Sequence, residues 1–179
     1  MKTKLIIVGS APCVAGDLSD VKNHEEYDFM AIGLDAIDRY LGRIKFLTTY
    51  HPEDLIPALE RRKAAGGNTD YITISSFDEV GNDKFKVDVI IRHEPPSGSS
   101  ALHGALAAVR VFDYEKVILA GCPLEGQNAK GIDYNKQFSR GWEVHAPKLQ
   151  GKVRSMSGWT RRFLGGPTQE WLSHDQAYF

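Results

Sequence analysis

The hydrophobic positions fall into short continuous runs, separated by stretches in which apolar residues recur every three or four positions. Leu5–Val8 is a branched apolar run closed by Gly9, the mark of a strand buried on both faces. Residues 28–33 (DFMAIG), 44–50 (IKFLTTY), 71–76 (YITISS), 87–92 (VDVIIR) and 116–121 (KVILAG) read as further strands. LDAIDRYLG places Leu34, Ile37 and Leu41 on one helical face with Gly42 as a stop. HPEDLIPALERRKAAGG has Glu53 and Asp54 in a first turn, Arg61–Lys63 in a last turn and Gly66 and Gly67 beyond. Those charges suit the helix dipole, so a helix is predicted there, kinked or trimmed by Pro57. Ala101–Val111 is a compact helix with Ser99 or Ser100 as its N-cap. Residues 77–86 (FDEVGNDKFK) read as a polar loop or hairpin connection. Beyond Gly126 the pattern loosens into aromatic and basic residues without clean strands, with a helix expected around Lys148–Phe163.

Alternating strands and helices imply a single α/β domain over residues 1–179: a Rossmann-like, mostly parallel sheet with helices on both faces and an irregular, aromatic-rich C-terminal segment. Ligands of such sheets bind beyond the carboxyl ends of the strands, near the point where strand order reverses. The positions to watch are therefore Gly9–Pro12, Gly33–Asp35, Tyr50 and His51, Ser75 and Ser76, His93–Ser100 and Gly121–Glu125.

Composition narrows the partners. A net charge of −1 over 179 residues offers no electrostatic case for nucleic acid or anionic membranes. The two cysteines, Cys13 and Cys122, make neither a disulfide framework nor a Cys-x-x-Cys metal pair, so a reducing cytoplasm is the simplest location. The apolar run near the N-terminus is too short for a signal-peptide core, and no stretch approaches a membrane span. No cofactor is expected, and a homo-oligomer is left open.

Two loops carry the candidate chemistry. In GSAPC, Gly9, Ser10, Ala11 and Pro12 let backbone approach a ligand closely, yet neither phosphate fingerprint, G-x-G-x-x-G or G-x-x-x-x-G-K-[ST], is present. The loop is a ligand wall or an ordinary turn. In PSGSSALHGALAA, Ser97, Gly98, Ser99 and Ser100 precede a helix, and successive amides at a helix start bind anions. The duller reading is an N-cap with a flexible lead-in. Gly121 and Cys122 end a buried strand, and the Cys122 thiol is either a nucleophile or simple packing. The histidines at 24, 51, 93, 103, 145 and 174 show no zinc spacing, so no metal ligands are assigned. His51 and His93 follow strands, where a general base would sit, and His145 lies between Trp142 and Pro147. Arg154 and Arg161, with Arg162, either clamp a phosphate or form a solvated basic face.

Together, IIVGSAPC and SGSSALHGALAAVRVFDYEKVILAGCPLE resemble the paired signatures of the bacterial sialyltransferases that use CMP-sialic acid and of archaeal 6-hydroxymethylpterin diphosphokinase-like proteins. The resemblance covers residues 4–125. Ala11, Cys13, Cys122 and Pro123 depart from the family pattern, and Pro96 replaces its threonine. The resemblance implies a glycosyltransferase-like fold in which both loops enclose a nucleotide or nucleotide-sugar and a histidine further on, here His145 or failing it His51, deprotonates a hydroxyl acceptor without a metal. As the alternative it admits Mg²⁺-dependent pyrophosphoryl transfer to a pterin-like alcohol, with Asp35 and Glu125 as the carboxylates. The third reading is a non-catalytic nucleotide-binding or interaction module, such as a bacterial or phage accessory protein.

Overall fold

A computed structural model describes residues 2–76, 85, 87–127, 131, 133–149 and 151–173. Seven strands form one all-parallel sheet: β1 (Lys4–Val8), β2 (Tyr27–Ile32), β3 (Phe46–Thr49), β4 (Ile72–Ser75), β5 (Val89–Ile90), β6 (Lys116–Ala120) and β7 (Val153–Ser155). The order across the sheet is β5-β4-β3-β2-β1-β6-β7. The chain therefore moves outward from β1 to β5 and then returns to the other side of β1, so strand order reverses between β1 and β6.

The described helices are α1 (Val14–Asp20), α2 (Gly33–Ala36), α3 (Leu55–Ala64), α4 (Ser100–Arg110), α5 (Tyr134–Leu149), α6 (Gly158–Leu164) and α7 (Gln169–Ser173). Successive strand residues point to opposite faces. On β1, Leu5 and Ile7 join one core with Leu102, Ala105 and Leu106 of α4 and Trp142 of α5. Ile6 and Val8 join the other, with Val14 and Leu18 of α1 and Leu55 and Ala58 of α3. Both cores explain why Leu5–Val8 carries no polar residue, and burying each such side chain contributes roughly 1.5–3 kcal/mol. The α/β class and the helices on both faces are as read from the pattern.

The segment after β2 departs from the helix expected there, and one of the two readings of Pro57 holds. The segment after Ile32 makes only the four-residue α2 and then turns, although Ile37 is still fully buried. Arg62 holds the turn that replaces it: its guanidinium donates to the carbonyls of Ile37, Tyr40 and Gly42 and to Asn68, and the Ile37 carbonyl is the one a helix continuing to Leu41 would have used. Pro57 trims rather than kinks, since it lies in the first turn of α3, where an amide has no helical partner to lose. A single 3₁₀ turn, Pro52–Asp54, precedes it.

The C-terminal segment is more regular than expected. The helix expected over Lys148–Phe163 is instead the end of α5, then edge strand β7, then α6. Gly151, at φ 78°, breaks the chain between α5 and β7. Buried Val153 and Ser155 flank half-buried Arg154 with the period of a strand, a signal only three residues long. The connection expected over residues 77–86 lies, except for Phe85, outside the described residues. Among the described residues no helix is long and apolar enough to cross a membrane.

Candidate functional site

A cleft of about 860 Å³ opens at the carboxyl ends of the strands, at the β1/β6 reversal. Its floor is made by the turns after those two strands. Gly9 N–H donates to Ala120 O at 2.7 Å and Ala11 N–H to Gly121 O at 3.2 Å. A Cβ on Gly9 would stand 2.1 Å from Gly121 O and 2.7 Å from Cys122 Sγ, so only glycine permits this approach. Gly9, Ser10, Ala11 and Pro12 line the cleft, but two of their amides are already spent on β6. The first loop therefore shapes the floor more than it offers donors.

A residue the sequence did not single out holds this floor in place. Asp17 of α1 is buried, and its Oδ2 accepts from Gly121 N–H and from Ser157 Oγ, each at 2.8 Å. Ser157 Oγ also lies 3.3 Å from Cys13 Sγ. Its partners lie 104 and 140 positions away, so no local pattern could have pointed to it.

The second wall is the start of α4. Ser99 is the N-cap, and its side chain accepts from Leu102 N–H. His103 N–H bonds Ser99 O at 2.8 Å. Among the described residues no acceptor claims the Ser100 and Ala101 N–H groups, as at any helix start, and both residues line the cleft. Ser100 Oγ accepts from Tyr50 N–H, which leaves its own O–H to donate. Gly98 lines the cleft at φ 68°, a left-handed turn that aims the chain into the helix. Ser97 lies behind the wall, buried, and bonds the Tyr50 hydroxyl through both its amide and its Oγ.

Asp35, His51, Asp54 and Glu125 supply the charged and titratable rim. His51 Nδ1 stands 3.2 Å from Glu53 Oε1. Burial, and secondarily the neighbouring Glu53 and Asp35 charges opposed by His51, raises the Asp54 carboxyl above its ordinary value. No lysine or arginine is among the described lining residues. Gly121 and Cys122 line the floor, and burial pushes the Cys122 thiol far above its ordinary value, so it is not a ready nucleophile.

Comparison with protein-family models, with curated proteins and with solved structures finds no significant match. The site is accordingly read from its own geometry.

Three sequence-stated candidates stand away from this cleft. His145 is fully buried, with Nε2 2.8 Å from Pro95 O and Nδ1 3.1 Å from Lys148 Nζ. Arg154 donates to Leu164 O and lies 6.0 Å from the Trp171 ring, and Arg161 donates to Met156 O. These bonds tie the C-terminal segment together, and neither guanidinium reaches the cleft lining. His93, also flagged by position, is buried with His103 and His145 in a row of rings at 4.9 and 6.1 Å that ends on Tyr50 of the cleft wall, 5.0 Å from His103. Among the described residues both ring nitrogens of His103 lack hydrogen-bond partners. Among the described residues no three His, Cys, Asp or Glu side chains converge as a metal site.

Proposed function

We propose that the cleft binds a nucleotide or nucleotide-sugar and transfers its activated group to a hydroxyl acceptor. The observation that carries this reading is the capped start of α4, with the Ser100 and Ala101 amides and the Ser100 hydroxyl, facing a cleft at the strand-order reversal. That arrangement suits a phosphate, which the amides receive without a cationic side chain.

His51 replaces His145 as the base in this reading, because His51 lines the cleft. Glu53 holds Nδ1–H, which leaves Nε2 to accept a proton. Nε2 takes the acceptor's hydroxyl proton as the acceptor oxygen bonds the transferred carbon. The bond from that carbon to the phosphate oxygen breaks, and its electron pair leaves with the nucleotide. The α4 amides stabilise the negative charge that develops there.

One observation favours the pyrophosphoryl alternative. Asp35, Asp54 and Glu125 stand on the rim, Asp35 near Arg61 and Glu125 paired with Arg162, and carboxylates there would suit a phosphate arriving with Mg²⁺. These carboxylates do not converge as a preformed metal site, so the ion would bring most of its ligands as phosphate and water. Thermal-shift titration with nucleotides, nucleotide-sugars and pterins, each with and without Mg²⁺, separates the readings. A ligand at 100 times its Kd adds about 2.7 kcal/mol of stability. Stabilisation by nucleotides without Mg²⁺ supports the leading reading, and a strict Mg²⁺ requirement moves it to pyrophosphoryl transfer. Silence across the panel removes both and leaves an interaction module. His51→Ala is expected to retain binding and lose turnover, and full turnover in that variant removes its role as base.

A further inference from the structure

We propose that Tyr134 and Phe138 form a stacking wall for a planar heteroaromatic ring, so that the cleft holds its ligand by a base as well as by a phosphate. This rests on the reading of the α4 end of the cleft as a phosphate site. The carrying observation is the stripe along α5. Tyr134, Phe138, Trp142, His145 and Leu149 recur at helical spacing on one face. The last three are buried in the core. The first two run past the edge of the core and line the cleft instead.

Their geometry fits a flat ligand. The two rings are stacked, 6.3 Å apart with planes only 20° from parallel, so a flat ring entering the cleft that both line would extend an existing stack. Tyr134 is 36% exposed although the stripe continues into buried Trp142, His145 and Leu149. Phe138 Cδ1 is 3.8 Å from where a Cβ on Gly98 would sit, so the aromatic surface begins beside the turn into α4. A phosphate at the Ser100 and Ala101 amides would therefore have an aromatic wall as its neighbour. The charge inventory points the same way. No lysine or arginine is among the described lining residues, so what these residues offer a phosphate is amides and hydroxyls, and contact with a second part of the ligand adds affinity. Face-to-face contact with a nucleobase is the interaction these two rings offer, and it tolerates different bases because each has a π-face.

The test uses isothermal titration calorimetry on the full chain with the four nucleoside 5′-monophosphates, ribose 5-phosphate and inorganic phosphate. At least one nucleoside monophosphate is expected to bind roughly tenfold or more tightly than ribose 5-phosphate, which lacks only the base. Tyr134→Ala and the milder Phe138→Leu are each expected to erase most of that advantage while leaving ribose 5-phosphate affinity unchanged. Equal affinity for the base-bearing and base-free probes in the unsubstituted protein overturns the stacking wall while sparing the phosphate site. An unchanged advantage in both variants likewise overturns the wall. If none of the phosphate probes binds, the phosphate reading fails and the wall falls with it.

Discussion

Lowering the pH tests the buried histidine row directly. Burial is the main reason His93 is held near 4, reinforced electrostatically by the neighbouring His145, Arg110 and Lys148 and opposed by a backbone hydrogen bond with His103. Burial, followed by His93, holds His103 near 4 as well. In the unfolded chain both return to about 6.5. A base with a depressed folded pKa is charged first in the unfolded state, so that state binds more protons as pH falls. Stability contributed by the neutral pair is thus complete above pH 6.5, declines below it and is lost by pH 4. Linkage gives about 1.3 kcal/mol per histidine between pH 7.5 and 5.5, and about 3 kcal/mol each over the whole window. That is a large share of the roughly 5–15 kcal/mol by which a domain is stable. Urea denaturation at pH 7.5, 6.5, 5.5 and 4.5 measures it. The wild-type midpoint is expected to fall steeply below pH 6.5, and His93→Leu combined with His103→Leu to remove about two protons' worth of slope near pH 5. The same slope in the double variant refutes the assignment. Because Tyr50 joins this row to Ser97, hydrogen exchange in the Ser97–Leu102 segment, corrected for intrinsic rate, is expected to rise over the same pH range.

Three further outcomes follow from the packing. Gly9→Ala drives a methyl group to 2.1 Å from Gly121 O, so a loss of at least ~3 kcal/mol in chemical denaturation is expected, and a change below ~1 kcal/mol contradicts the floor geometry. Arg62→Met strands the carbonyls of Ile37, Tyr40 and Gly42, and is expected to cost about 3 kcal/mol or more by the same assay. Iodoacetamide at pH 8 should leave Cys122 unlabelled in the native protein and label Cys13 slowly, since burial raises both thiols; rapid labelling of Cys122 by peptide mass contradicts its burial.

Much of the fold is legible in local pattern. Leu5–Val8 and Val117–Ala120 read as doubly buried strands because a central parallel strand has no solvent face on which to place a polar residue. The cleft's position followed from that alternation too, since strand ends near a reversal are where backbone groups and loop side chains collect. Gly9–Pro12, Asp35, His51, Gly98–Ser100, Gly121 and Cys122 all line it. Short edge strand β7 escaped notice because three residues carry too little periodicity. Helix α5 escaped because Gly141 and Pro147 interrupt its propensity, although Gly141 is what lets it lie against Ser97, whose carbonyl would be 2.5 Å from a Cβ there.

What lay beyond local pattern is everything decided by distance in space. Asp17 gripping Gly121, Arg62 capping the turn after α2, and Phe138 beside Gly98 each join segments far apart in the chain. The family resemblance puts His145 ahead of His51 as the candidate base. Packing separates them, leaving one on the cleft rim and burying the other against Pro95. Backbone conformation responds to neighbours a few positions away and so leaves a local trace, whereas a side chain's solvent access depends on elements that meet only once the sheet has closed.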